Sequence, residues 1–172
     1  PQKPADHADY RTEKRSQYMI FHIFGWPYET SAAMTRIVMS GILEKYPDLK
    51  IITHHCGGMV PYLVERIKGA YDHAEMLRRA KYKLNLRMPP IEYFKKFYYD
   101  TAIYGNPHGL MCALPFCGAD HMLFATDATY DSQMGERYTR QTIEAVEEMA
   151  ITDKERQMIY TGNAIKIAQL PL

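Results

Sequence analysis

The sequence predicts an α/β fold in which short parallel strands alternate with helices. Three short apolar segments are each followed by a longer segment whose apolar residues recur at helical spacing. Polar side chains stand directly after the apolar segments, at the strand ends where α/β enzymes place their active sites. This spacing fits part of a barrel or a doubly wound sheet. No Gly-x-Gly-x-x-Gly motif follows a predicted strand, which disfavours a nucleotide-binding sheet.

Composition and charge exclude several classes of protein. The 172 residues are 47% hydrophobic and 24% charged, as expected of one globular domain with a buried core. Acidic and basic residues are interleaved and the formal net charge is +1, so we expect no nucleic-acid partner. No apolar run approaches the roughly 18 residues that cross a membrane, and residues 1–15 are unlike a secretory signal. We therefore expect a cytoplasmic protein without a membrane partner.

The first predicted helix covers residues 30–46. Its apolar residues recur at helical spacing, Thr30 or Ser31 can serve as N-cap, and Pro47 ends the segment. The apolar run at 49–53 is too short for a helix and predicts a buried strand.

Two histidines, His54 and His55, directly follow this strand, and two glycines come shortly after them. The segment 59–83 predicts a long helix with Pro61 in its first turn, where proline is tolerated. The rest of the chain continues the alternation and ends in helices. The next predicted elements are a short helix at 91–96, a strand at 97–102, a helix at 108–116 and a strand at 121–126. Three helical segments follow: one at 133–149, one that begins at a cap formed by Thr152 and Glu155, and one at 163–170.

Three motifs in this order resemble one enzyme family. KIITHHCGGMVPYLVERI at 50–67, FYYDTA at 97–102 and GADHMLFATD at 118–127 are similar to strands six, seven and eight of the amidohydrolase superfamily. They most resemble its amidohydrolase-related branch of aminocarboxymuconate-semialdehyde and γ-resorcylate decarboxylases. The segment 24–50 resembles the fifth helix of that branch and its lead-in. The resemblance covers nearly the whole chain.

This resemblance implies the C-terminal part of a (β/α)8 TIM barrel, about strands six to eight with flanking helices. Such a barrel takes roughly 250 residues. We therefore expect residues 1–172 to form a single partial domain, with the N-terminal half of the barrel absent. The outer strands of this piece would be unpaired, so we expect it to pair with the missing half, to form a homo-oligomer, or both.

The resemblance also implies a metal-dependent enzyme, first of all a non-oxidative decarboxylase (carboxy-lyase) of an aromatic or enol-type carboxylic acid. The alternative is a metal-dependent hydrolase of a lactone, amide or ester, because the same groups can activate water. A third interpretation is an inactive fragment or an oligomerisation module. We expect this chain alone to be inactive, because most of the family's metal ligands are missing from it.

Asp127 matches the family's metal-ligating Asp at the end of strand eight. A carboxylate there can bind zinc, the expected ion, or manganese, and can take a proton from bound water. Its alternative role is the N-cap of the next helix. The family's other ligands are a His-x-His pair on strand one and a His on strand five. No His-x-His pair occurs here, so these ligands are expected upstream of Pro1, with His7 as the fallback.

His55 matches the family's catalytic His after strand six, which can donate or accept a proton near neutral pH. Because neighbouring strand residues point to opposite faces, we expect only one of the two histidines to face the site. We favour His55, with His54 as a buried structural residue. Arg66 matches an arginine that binds a substrate carboxylate in some relatives, and is otherwise a solvated helix charge. Trp26 is expected to line the pocket mouth or to plug the barrel rim.

Strand seven supplies further polar candidates. Asp100 is either a structural, hydrogen-bonded carboxylate or a residue that supports the metal site. Tyr98, Tyr99 and Tyr104 are expected to pack within the barrel rather than to stack on a planar substrate.

Overall fold

The centre of the fold is a parallel sheet of three short strands. The computed structural model describes residues 7–73 and 86–169. The strands are β1 (Ile52–Thr53), β2 (Tyr98–Asp100) and β3 (Met122–Leu123), paired in the order β1-β2-β3. Both pairings are parallel, so the carboxyl ends of all three strands lie at one edge of the sheet. The predicted parallel α/β arrangement is confirmed, and each predicted strand contains an observed one.

Helices connect and follow these strands. They are α1 (Trp26–Met39), α2 (Ile42–Lys45), α3 (Val64–Asp72), α4 (Pro90–Phe94), α5 (Pro107–Cys117), α6 (Glu136–Glu148), α7 (Asp153–Gln157) and α8 (Asn163–Ala168). A π-helical turn, Phe21–Gly25, runs directly into α1, and a second, Met158–Gly162, joins α7 to α8.

The first helix starts earlier than predicted. Helix α1 begins at Trp26, so the prediction of Thr30 or Ser31 as its N-cap is wrong. The π-helical turn Phe21–Gly25 leads directly into α1, and the fixed φ of Pro27 suits a helical position. Gly41, at φ 72°, adopts the left-handed conformation that ends this segment and separates it from α2.

The helix predicted at 59–83 also differs in its start. Residues 59–63 form turns, and α3 begins only at Val64. Gly57 and Gly58, at φ 76° and 62°, turn the chain sharply after β1, so a regular helix does not begin at once. The predicted C-terminal part of this helix, from residue 74 onward, lies outside the described residues.

Aromatic side chains of β2 fill the core. Tyr99 is fully buried, and its hydroxyl donates to the Phe94 carbonyl at 2.7 Å. Tyr98 is buried with its ring stacked on His121 at 4.6 Å. The predicted packing role is confirmed for these two tyrosines. Other fully buried core side chains include Val38, Val60, Tyr93, Phe94, Phe97, Leu110, Met122, Val146 and Ile159.

The two outer strands have free edges within the described residues. There β1 and β3 each pair only with β2, as expected of a piece of a larger sheet. Ile52 is 56% exposed. The prediction of a buried first strand is therefore wrong for Ile52, because β1 lies at an edge that no described strand covers.

Helix α7 begins with the predicted capping box. The Glu155 backbone N–H donates to the Thr152 hydroxyl at 3.3 Å, and the Thr152 N–H donates to the Glu155 carboxylate at 2.8 Å. Thr152→Ala is expected to lower the free energy of unfolding by about 1 kcal/mol, whereas Thr152→Ser keeps the cap. Urea titration measures both changes. Equal stability of the Ala and Ser variants would contradict the assigned role.

Within the same described ranges, none of the helices combines the length and apolar character needed to cross a membrane.

Candidate active site

His55 and Asp127 meet at the carboxyl edge of the sheet. His55 follows β1 and Asp127 follows β3, and Nε2 of the imidazole lies 3.7 Å from Oδ2 of the carboxylate. The side chains are 20% and 27% exposed, so both remain accessible to a ligand. The fold thus brings together the two residues that the sequence predicts to be catalytic. Whether they catalyse a reaction stays a prediction.

Both residues have unusual backbone geometry. His55 and Asp127 adopt left-handed conformations, at φ 52° and 58°. Such values are uncommon for residues other than glycine and recur at functional sites. Asp127 precedes the short 3-10 turn Ala128–Tyr130 and makes no side-chain capping bond to it. The alternative interpretation of Asp127 as the N-cap of the next helix is therefore wrong.

A second carboxylate anchors the loop after Asp127. Asp131 accepts hydrogen bonds from the backbone N–H groups of Gly135 at 3.0 Å and Tyr138 at 2.7 Å, at the start of α6. Gly135 is packed so closely that a Cβ there would lie 2.3 Å from the Ala128 carbonyl oxygen. These contacts fix the loop that presents Asp127.

His54 lies beside His55 rather than on the opposite face. The Nδ1 atoms of the two imidazoles are 3.1 Å apart, and His54 Nδ1 is also 3.1 Å from the hydroxyl oxygen of Thr30. The predicted separation is wrong because His55 leaves the extended conformation on which strand alternation depends. The prediction of a buried His54 is wrong as well, since its side chain is exposed. Desolvation on its protein-facing side, followed by the neighbouring His55, nevertheless lowers the pKa of His54.

Asp100 supports the turn that carries His55. Its buried carboxylate accepts the backbone N–H of Cys56 at 2.9 Å and of Ala102 at 3.1 Å. Burial raises the pKa of Asp100, against the effect of these two hydrogen bonds. The structural interpretation of Asp100 is confirmed, and through Cys56 this carboxylate also holds the residue next to His55 in place.

Replacing Asp100 tests this support. Asp100→Ala leaves two buried N–H groups without an acceptor, and is expected to lower the free energy of unfolding by about 1–3 kcal/mol. Asp100→Asn is the matched control, because its amide oxygen can still accept. Denaturant unfolding of the variants gives both values. An Ala variant as stable as the Asn variant would show that the carboxylate does not hold the turn.

Tyr104, expected from the sequence to pack within the barrel, and Tyr138, which no sequence signal singled out, are neighbours of the site. Their rings lie 4.5 Å apart, and Tyr104 is 40% exposed. Partial burial and the nearby Asp127 charge raise the pKa of Tyr104. The expected packing role is therefore wrong for Tyr104. Gly105, the next residue in the chain, was the sequence signal for a sharp loop at the strand end. Both Tyr104 and Gly105 have positive φ in the structure.

The other predicted site residues lie in the lead-in to α1, in α1 and in α3. Arg66 is exposed in the first turn of α3. Trp26 is half-buried at the start of α1, with its ring 4.5 Å from that of His22. His7 is half-buried and stacks on Phe21 at 4.8 Å. Their roles as substrate contacts and fallback ligand stay predictions.

The donors at this edge suit one side of a metal site. Asp127 offers an anionic oxygen, an ordinary ligand type for divalent zinc, and the neighbouring His55 imidazole can exchange a proton with a group bound there. Among residues 7–73 and 86–169, no three His, Cys, Asp or Glu side chains come together as a ligand group. The described residues therefore fit a divalent ion as a partial ligand set.

Comparison with known proteins decides the family. The family profile described as amidohydrolase matches residues 4–168, nearly the whole chain. The chain belongs to the amidohydrolase family. The family resemblance read from the strand motifs is thereby confirmed.

Relatives of this amidohydrolase chain include decarboxylases. It is 34% identical over 149 residues to a 6-methylsalicylic acid decarboxylase of Penicillium expansum, a match covering 84% of this chain and 42% of the relative. It is 27% identical over 158 residues to a 2-amino-3-carboxymuconate-6-semialdehyde decarboxylase of Dictyostelium discoideum, covering 92% of this chain and 42% of the relative. The chain thus spans less than half the length of these relatives.

A solved structure shows the same fold. The dihydroxybenzoic acid decarboxylase of Polaromonas sp. JS666, with bound manganese and the inhibitor 2-nitroresorcinol, superposes with a TM-score of 0.67 at 27% identity. The match covers 88% of the amidohydrolase chain and 45% of the solved one. The described strands and helices therefore match part of the fold of that decarboxylase.

Proposed function

We propose that the whole protein is a metal-dependent, non-oxidative decarboxylase of aromatic carboxylic acids. The observation that carries the proposal is the His55–Asp127 pair, 3.7 Å apart at the carboxyl edge of a parallel sheet. This pair combines a proton-transfer group with a metal ligand, as metal-assisted removal of a carboxylate requires. The relatives named as decarboxylases of aromatic or enol-type acids support this reaction class.

The proposed reaction replaces a carboxylate by hydrogen. The bond between the ring carbon and the carboxylate breaks, the electron pair stays on that carbon, and CO2 leaves. His55, protonated at Nε2, then donates its proton to the carbon and is reprotonated from solvent. One proton is consumed for each CO2 released, and no oxidant or reductant takes part.

Asp127 would hold the divalent ion, with the remaining ligands supplied by polypeptide beyond this sequence. When bound, the ion orients the carboxylate and a neighbouring oxygen of the substrate and stabilises negative charge. Donor chemistry allows zinc, which we propose first, and the manganese in the Polaromonas structure makes that ion the alternative. Metal analysis of the purified whole protein identifies the ion.

Two exposed or half-buried side chains are proposed to contact the substrate. The guanidinium of Arg66 is suited to pair with a carboxylate through two parallel hydrogen bonds. Trp26 offers a planar face beside the start of α1, which suits an aromatic ring. Tyr104, close to Asp127, is a further ring at the same edge.

We further propose that β1, β2 and β3 are strands six, seven and eight of a (β/α)8 barrel. The parallel order and the free outer edges support this placement. The rest of the barrel would cover those edges, through the N-terminal half of the same protein, and exposed apolar side chains favour further assembly into a homo-oligomer.

Product analysis tests the function. The whole protein, loaded with zinc or manganese, is incubated with aromatic acids that carry a hydroxyl beside the carboxylate, and CO2 is measured. Release of CO2 with the matching phenol is the expected result. Hydrolysis of lactones, amides or esters without CO2 release would overturn the proposal in favour of the hydrolase alternative. Failure of all substrates on a metal-loaded protein would favour a non-catalytic module.

A further inference from the structure

We propose that Thr30 and His54 are positioning residues that hold the proton of His55 on Nδ1, so that Nε2 is the atom that exchanges protons. The effect of this arrangement on catalysis rests on the proposed function. The hydrogen-bond arrangement itself is a property of this chain. It starts from a contact that joins α1 to the turn after β1.

Thr30 acts as a hydrogen-bond donor in this arrangement. Thr30 is a buried residue, 6% exposed. Thr35 on the same helix donates its hydroxyl to the carbonyl four residues earlier, at 2.8 Å. Within the described residues, the hydrogen-bond partner of the Thr30 hydroxyl is instead His54 Nδ1, at 3.1 Å. Because a buried O–H that does not donate is costly, Thr30 donates and His54 Nδ1 accepts.

The role of His54 then determines the tautomer of His55. A neutral imidazole has one N–H and one bare nitrogen. With Nδ1 of His54 bare, its single lone pair is shared between the Thr30 O–H and a proton on the neighbouring Nδ1 of His55, 3.1 Å away, because two bare nitrogens at that distance would repel. The Nε2 lone pair of His55 is left on the side of Asp127.

The reverse arrangement is less favourable. If His54 carried its proton on Nδ1 and donated to His55, the Thr30 hydroxyl could only accept, and its own buried proton would lack an acceptor. The burial of Thr30 therefore favours the arrangement in which Thr30 and His55 donate to His54 Nδ1.

Helix α1 is fixed against the histidine turn by two further contacts. The backbone N–H of Met59 donates to the Ser31 hydroxyl at 2.8 Å. Gly58 approaches α1 so closely that a Cβ would lie 2.3 Å from the Pro27 carbonyl oxygen. These contacts fix the position of Thr30 relative to His54. The hydrogen bonds from Thr30 through His54 to His55 therefore do not depend on a freely moving side chain.

The consequence for the reaction concerns the second nitrogen. When Nε2 of His55 binds a proton, the resulting imidazolium keeps its Nδ1–H on His54, so the ring does not reorient. The proton that reaches the substrate carbon leaves from Nε2. A histidine catalyst generally needs such a third group to fix its tautomer and orientation.

The first test measures the tautomer directly. Long-range 1H–15N correlation spectra of the 15N-labelled protein distinguish Nδ1–H from Nε2–H. They are recorded at a pH at which the 15N shifts of His54 and His55 show that both rings are neutral. The expected result is Nδ1–H on His55 and Nε2–H on His54. Thr30→Val is expected to mix the tautomers of both rings, Thr30→Ser to preserve them, and Thr35→Val, the matched change on the same helix, to leave them unchanged. Nε2–H on neutral His55 in the unaltered protein would overturn the inference.

The second test measures catalysis in the whole protein. Thr30→Val is expected to lower kcat by about 10–100-fold, as loss of a supporting partner does elsewhere, with KM nearly unchanged. Thr30→Ser should restore kcat, and Thr35→Val should leave it unaltered. An unchanged kcat in Thr30→Val, with its tautomers mixed, would overturn the catalytic consequence. If no substrate is decarboxylated, the proposed function fails while the spectra still decide the hydrogen-bond arrangement.

Discussion

Asp127→Asn is expected to abolish decarboxylation by the whole protein and to remove most of its bound metal. An amide in place of the carboxylate is neutral and a much weaker ligand for a divalent ion. Loss of a partner that only supports a ligand costs about 10–100-fold in metal affinity, so loss of the ligand itself should cost more. Metal content after dialysis and CO2 release measure the two effects.

The control for this prediction is Asp48→Asn. Asp48 is exposed in the turn before β1, and the same chemical change there should alter neither metal content nor activity. A thermal unfolding scan shows whether Asp127→Asn remains folded. Full metal occupancy and full activity in a folded Asp127→Asn protein would contradict the assignment of Asp127 as a ligand.

His55→Gln is expected to lower kcat by about 10²–10⁴-fold, the usual contribution of a positioned acid–base group. Glutamine can reach the position of the imidazole nitrogen and can hydrogen-bond there, but it cannot transfer a proton near neutral pH. Metal content should change less than in Asp127→Asn, because the carboxylate remains. Steady-state rates of CO2 release at saturating substrate give the loss.

The matched control is His108→Gln, which changes an exposed histidine in the first turn of α5. It should retain full activity. Retention of kcat in His55→Gln would show that another group moves the proton, and His54 would then be the next residue to replace. A rise in KM with unchanged kcat would instead indicate that His55 only binds the substrate.

Part of this site could be predicted from local sequence. Apolar runs followed by polar residues located the strands, and the resemblance of the strand motifs to the amidohydrolase superfamily singled out Asp127 and His55 among the polar residues that follow them. The structure confirms that both lie at one sheet edge. The capping box at Thr152 was also predictable, because its two partners are three residues apart.

The sequence failed where backbone conformation departs from its periodic pattern. Strand alternation predicted opposite faces for His54 and His55, and the left-handed conformation of His55 brings them together instead. Tyr104 was expected in the core for the same reason, because its own positive φ turns it out of the strand pattern. A non-glycine residue in this conformation leaves no periodic signal, since surrounding contacts impose it.

By itself, the sequence determined the alternation of strands and helices and the position of the polar residues at strand ends, because hydrophobic periodicity acts over a few residues. The tertiary structure alone decided which groups touch. Thr30 reaches His54 across 24 residues, and Asp100 reaches Cys56 across 44. Such contacts arise when separate elements pack around a common core, and the spacing of residues within one element carries no record of them.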